Sequence, residues 1–257
     1  MTSVLVYAGL VALLLGLIAV IHPLRRLRLT TRRHGAVVMM AGALLVIVAW
    51  SLPVREMRAS GNTRLDALLP RYQFHEHHQR HVDATPAEVW RALHEVRASD
   101  IRLFRTLTTI RRFGRPGPES ILNAPDDRPI LDVALGTSFV RLGSDPEREL
   151  VIGTTVIAPD GAAVPRMPDE FRTLAAPGFA VGVMNFRIEP DGRGGSRLTT
   201  DTRVFATDPP TQRAFARYWS LIYPGSALIR REWLGAVARG ANDSTGTQLH
   251  SGPPRSP

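Results

Sequence analysis

The chain contains neither cysteine nor lysine, and its first 53 residues contain no acidic side chain. Without thiols, disulfides, thiolate nucleophiles and zinc–thiolate centres are excluded, while the redox compartment stays open. With all 32 basic residues arginine, the calculated pI rises to 11.2, which reflects base composition rather than a function. Five of those arginines sit in "RRLRLTTRR" (25–33), and the remaining 27 face 23 acids spread along the chain. No basic run interleaves with aromatics, so a nucleic-acid partner is not expected. Phosphate-loop and dinucleotide patterns are missing, as is a G-x-S-x-G elbow. "GRGG" (192–195) reads as a hairpin turn, and no cofactor is expected.

Two apolar segments come first. "VLVYAGLVALLLGLIAVI" (4–21) and "GAVVMMAGALLVIVAWSLPV" (35–54) are uncharged. At about 1.5 Å per helical residue each spans close to the roughly 30 Å hydrocarbon core. A signal peptide needs a basic n-region before a shorter apolar run, and the first 24 residues carry no basic side chain. Residues 1–54 therefore read as two transmembrane helices, with the lipid bilayer as a partner. Ala8, Ala12 and Gly16 form a small-residue ridge suited to hairpin packing. The arginines favour a cytoplasmic loop 22–34 in a bacterial cell membrane, with the soluble domain outside.

Residues 55–71 read as a polar tether with about one helical turn, 72–240 as the folded domain, and 241–257 as a disordered, Pro-rich tail. "ATPAEVWRALHEV" (84–96) carries the most specific local signal: Thr85 as N-cap, Pro86 at the first helical position, and Glu88 completing a capping box. Ser99 is the next N-cap candidate. Residues 114–136 are loop-rich and close on a short helical stretch, "ILDVAL". Strand-like runs follow at 138–142, 149–157, 178–190 and 196–207, joined by two hairpin connections. A C-terminal helix capped by Asp208 is interrupted at Tyr223-Pro224-Gly225, and Ser226 restarts it.

"FHEHHQRHVDATPAEVWRALHEV" (74–96) and "TTDTRVFATDPPTQRAFARYWSLIYPGSALIRREWL" (199–234) resemble the opening strand and helix, and the last strand and closing helix, of the START-like polyketide cyclase/dehydrase group, the helix-grip superfamily SRPBCC. The resemblance covers about 72–240. It implies an α+β domain whose curved antiparallel sheet wraps a long C-terminal helix around an apolar cavity. Members bind lipids, sterols, polyketides or other hydrophobic compounds, and some are enzymes. The chain departs from the group in showing four strands after the helices where six are usual; the long loop is where short ones could lie. The superfamily has no universal catalytic motif, so function must be argued from the site.

"RYQFHEHHQRHV" (71–82) holds four of the eight histidines. As a strand it alternates faces. The even positions, Tyr72 to Val82, carry every apolar residue and should face inward with Glu76, His78 and Arg80; the odd set should face solvent. His75 and His77 form an outer H-x-H pair that could share a metal but lacks a third ligand. His94 stands alone. Glu76 and His78 are the acid/base candidates, and His78, Arg80, Met184, Phe186, Trp219 and Tyr223 the ligand-binding candidates. The parity of Asn185, Asp201 and Arg203 faces them outward. Three functions remain open: a membrane-tethered module binding a hydrophobic small molecule or lipid; a cyclase- or hydratase-type enzyme using Glu76 and His78; and a non-catalytic interaction module with a filled core. The sequence does not give the oligomeric state.

Overall fold

A computed structural model describes residues 2–22, 29, 31–61 and 63–250. It divides into two units, one formed by the chain up to residue 55 with 212–224, the other by 56–211 with the chain from 225 onward.

The first unit contains α1 (Thr2–Ile21) and α2 (Arg32–Ser51), both long and apolar enough to cross a membrane. They pack through glycines, though not along the expected ridge. Ala8 is exposed, and the seam is Val6, Gly9, Gly16 and Ala19 against Gly35, Gly42, Val46 and Ala49. A Cβ on Gly9 would lie 2.9 Å from the Gly42 carbonyl oxygen, and one on Gly16 would lie 2.7 Å from that of Gly35. Backbone meets backbone there, so the seven-residue glycine spacing on both helices sets the seam. Trp50 Nε1 donates to Ser220 Oγ at 3.1 Å, and the Tyr7 hydroxyl to the Leu221 carbonyl at 2.5 Å. The arginine-rich loop lies largely outside the described residues.

The second unit is an α+β domain. Its elements run β1 (Met57–Arg58), α3 (Arg64–Leu68), β2 (Arg71–Tyr72), β3 (Phe74–Val82), α4 (Pro86–Glu95), α5 (Phe104–Arg111), α6 (Ile130–Thr137), β4 (Phe139–Asp145), β5 (Glu149–Ile157), α7 (Pro168–Thr173), β6 (Ala180–Pro190), β7 (Ser196–Ala206) and α8 (Pro209–His250). One antiparallel sheet has the order β3-β7-β6-β5-β4, which leaves β3 and β4 as its edges. Its inner face (Leu150, Ile152, Met184, Phe186, Ile188, Leu198) packs with Trp233, Leu234 and Val237 of α8. This arrangement is consistent with a helix grip.

Several local expectations hold. Thr85 and Glu88 form the reciprocal capping box that starts α4 with Pro86 inside, and Asp208 accepts from the Thr211 amide at the start of α8. Others do not. Ser99 caps nothing: a 3-10 turn covers 98–100, Leu103 turns left-handed (φ 59°), and α5 starts only at Phe104. Residues 114–136 hold a 3-10 turn and the start of α6 but no strand, so the principal sheet has five strands. The helix does not break at 223–225. Pro224 costs one backbone hydrogen bond, and the burial of Trp233, Leu234 and Val237 downstream carries the helix through it. The expected disordered tail begins as helix: Ala241 is fully buried and α8 runs to His250, while 251–257 lie outside the described residues.

The tether is part of the fold. Thr63 and Asp66 cap α3, whose Leu65, with Leu69, joins Tyr72, Val151, Phe171, Val181 and Val183 in a second core on the outer face of the sheet. That cover overturns the outward reading of two residues. Asn185 (1 % exposed) donates to Glu149 Oε1 at 2.7 Å, and Arg203 (8 % exposed) pairs with Asp66 at 2.7 Å. Alternation gave their face correctly; the mistake lay in taking that face to be wet.

Candidate functional site

Strand β3 alternates as expected from Phe74 to His78, with Phe74, Glu76 and His78 buried and His75 and His77 exposed. Two positions depart. Gln73 is buried, because its amide bonds both backbone groups of Ala206 where the chain bends between β2 and β3. Arg80 is exposed, because it lies at the edge of the sheet and its long side chain reaches out over α8.

Glu76 and His78 meet on the inner face. His78 Nε2 lies 2.7 Å from Glu76 Oε1, and Ser226 Oγ donates to Glu76 Oε2 at 3.1 Å. Arg231 Nε approaches His78 Nδ1 at 3.5 Å, a long contact. The Arg230 guanidinium contacts the Met184 sulfur. Burial lowers the Arg230 pKa; the Glu76 charge opposes that shift and the Arg111 charge adds to it. Yet Arg230 keeps some accessible surface.

Trp233 stacks on Phe186 with ring centroids 5.0 Å apart, and its Nε1–H is buried without an acceptor. Met184 and Phe186 are almost fully buried against these helix residues, so the middle of the interior is filled by the chain itself. Trp219 and Tyr223 do not join this group. They stack with each other, and Trp219 with Phe215, in the 212–224 segment that belongs to the first unit. Arg230, Arg231 and Trp233 were not singled out in the sequence, and Ser226 only as a helix cap. Arg230 and Trp233 stand at i+4 and i+7 from Ser226 within the helix expected to restart there, but the spacing alone does not say which face meets the sheet.

On the outer side, His75 Nε2 and His77 Nδ1 both lie on Asp201 Oδ1, at 2.7 and 3.0 Å. Burial pushes the Asp201 carboxyl up, but the hydrogen bonds and charges of the two histidines outweigh it and hold it below the usual range. All three groups converge on one oxygen, which leaves no shared point for an ion. Among the described residues, no group of three or more His, Asp or Glu is placed to hold a metal.

Two recesses lie at opposite edges of the sheet. One of about 390 Å³ is lined by His77, His78, Gln79, Arg80, Arg231 and Leu234 at the β3 edge. The other, about 370 Å³ at the β4 edge, is mainly apolar, with Leu135, Phe139, Val140, Val156, Val164 and Pro165 in its walls.

No family model and no curated protein matches the chain. Among solved structures it is similar to TTHA0849 from Thermus thermophilus (10 % identity, TM-score 0.28, 67 % of this chain and 99 % of that one). It is also similar to Ara h 8.0201 (9 % identity, TM-score 0.23, 66 % of this chain and 98 % of that one). Superpositions this loose say nothing about a site, which has to be read from this chain's own residues.

Proposed function

We propose that the protein is a membrane-tethered helix-grip module that binds a hydrophobic small molecule or lipid between its sheet and α8. The observation that carries this reading is the unpaired Trp233 N–H. A buried donor without an acceptor costs free energy that an apolar neighbour would avoid. On the same helix the Arg230 guanidinium contacts the Met184 sulfur. A ligand with an apolar body and a polar acceptor, admitted as the packing around Trp233 opens, would satisfy that N–H. Trp90, Ile121, Leu135, Phe139 and Ile229, half-buried around the same core, supply apolar surface for the body. The apolar N-terminal helices would hold the domain at the bilayer, where such ligands partition, with the domain outside and the arginine loop in the cytoplasm.

The enzymatic reading has one supporting observation, the buried 2.7 Å Glu76–His78 pair. Its order is unfavourable for hydrolysis. The carboxylate lies between Ser226 and His78, whereas an activated hydroxyl needs the imidazole beside it.

Native mass spectrometry of the full chain in detergent tests the binding reading, with Trp233→Phe as the variant. The wild-type protein should carry a discrete lipid-sized mass and bind the neutral fluorescent amphiphile N-phenyl-1-naphthylamine. The variant keeps the ring packing and should lose about tenfold in affinity for the retained ligand, the worth of one hydrogen bond. No retained mass together with no binding of the amphiphile would overturn the reading.

A further inference from the structure

The recess at the β3 edge contains more positive charge than the fold has use for. Arg231, Gly235 and Arg239 follow one another at i, i+4 and i+8, so they lie along one ridge of α8. Gly235 is bare backbone between two guanidiniums. A side-chain carbon added there would lie 3.4 Å from Arg239 Nη1 and 3.5 Å from Arg80 Nη1, so the two side chains converge over it from the helix and from β3. Arg239 is fixed in place by donating to the Asp100 carbonyl at 2.7 Å. Among the described residues, no carboxylate pairs with Arg80, Arg231 or Arg239, although seven arginine–carboxylate pairs form elsewhere in the domain. His78 reaches the same recess from below, and the Glu76 charge beneath it is already engaged by His78 and Ser226.

We infer that this recess is an anion site, in which Arg80 and Arg231 hold a phosphate group together with Arg239, which meets Arg80 over Gly235. Planar guanidiniums converging from two elements match phosphate oxygens in geometry as well as charge. The glycine lets the Arg80 and Arg239 guanidiniums settle against the helix and meet there, where a side chain would hold them apart. Arg80 is thereby explained as well: inward by alternation, it turns out at the sheet edge toward α8. This site adds a headgroup pocket to the hydrophobic-ligand reading and rests on that reading only for the lipid as its source. A free phosphate ester would meet the same three arginines.

Calorimetric titration of the full chain in dodecyl maltoside separates the sources, with inorganic phosphate and dihexanoyl phosphatidic acid as probes. Comparable affinity for the two would identify a site for free phosphate. Tighter binding of the phosphatidic acid by about tenfold or more would identify a lipid headgroup. In either case Arg80→Gln/Arg231→Gln should weaken binding at least about tenfold. Gly235→Leu, which pushes the Arg80 and Arg239 guanidiniums apart and leaves the charges, should do the same, with circular dichroism showing both variants folded. Failure of the wild-type protein to bind either anion, or folded variants that bind as it does, would overturn the inference. N-phenyl-1-naphthylamine provides the control. A protein that binds it but neither anion defeats the anion site alone; one that binds phosphate but not the amphiphile defeats the hydrophobic-ligand reading alone.

Discussion

The two faces of the sheet both bury charge, but they do so differently. On the outer face every buried ion has an opposite or a polar partner: Arg203 pairs with Asp66 and lies over the Tyr72 ring, and Glu149 accepts from Asn185 and the Arg64 amide. Toward α8 the balance fails. Glu76 is the one buried carboxylate there among the described residues, and Arg230 stands near it while Arg80 and Arg231 line the adjoining recess. Matched charges hold two layers in register. Arg80 and Arg231 are exposed and solvated, so an anion from outside the chain can replace the water around them. On the proposed reading, the outer network is structural and the inner one serves a ligand.

That contrast is most easily broken at Asp66. Asp66→Asn leaves the Arg203 guanidinium, two of whose nitrogens already lack partners, buried without a counter-charge. The expected loss is about 3 kcal/mol, read as a lower chemical denaturation midpoint of the full chain in detergent. On the inner face Glu76→Gln keeps a group that can accept from Ser226, and its cationic neighbours retain some access to water. The loss there should be smaller, about 2 kcal/mol. Equal losses would mean that the two networks are the same kind of structure.

Acid sharpens the comparison further. Burial pushes the Asp66 carboxyl up, but hydrogen bonds from Thr63 and the Arg203 ion pair outweigh it, so its folded pKa lies below the ordinary 3.8. Asp201 is likewise held low by His75 and His77 against the effect of burial. A carboxyl depressed on folding contributes stability above its unfolded pKa and loses that contribution as pH falls through the folded value. Outer-face stabilisation should therefore persist down to about pH 4 and disappear below it. Asp66→Asn should flatten that part of the stability profile, which thermal unfolding between about pH 3 and 6 would reveal.

How far this was legible in the sequence differs between the faces. Alternation placed Glu76 and His78 inside and His75 and His77 outside, because period two is fixed by the backbone. The α4 capping box was legible for a similar reason, since it needs only residues three apart. What covers a face is not local. Nothing in "REMRASGNTRLDALLPR" announces that Leu65 and Leu69 fold back over β5 and β6, and without that cover Asn185 and Arg203 read as solvated. The continuity of α8 was lost to a single residue, Pro224, which reads as a break although the helix runs through it. A proline costs a few kcal/mol, and whether packing exceeds that cost is decided by residues far away in the chain.

The smallest effect is the most diagnostic for the inner network. Ser226→Ala removes one hydrogen bond to Glu76 Oε2 and leaves the 2.7 Å contact of Oε1 with His78. Loss of one such bond is worth about 1 kcal/mol in stability. If the pair serves only to lock helix to sheet, stability should fall by that amount and ligand affinity should not move. If Ser226 instead holds Glu76 in the orientation that a bound ligand requires, retention of the bound mass should fall as well, by more than the change in unfolding midpoint accounts for. Measuring both on one variant separates a brace from a binding residue, because a brace has no means of changing affinity in a domain that remains folded.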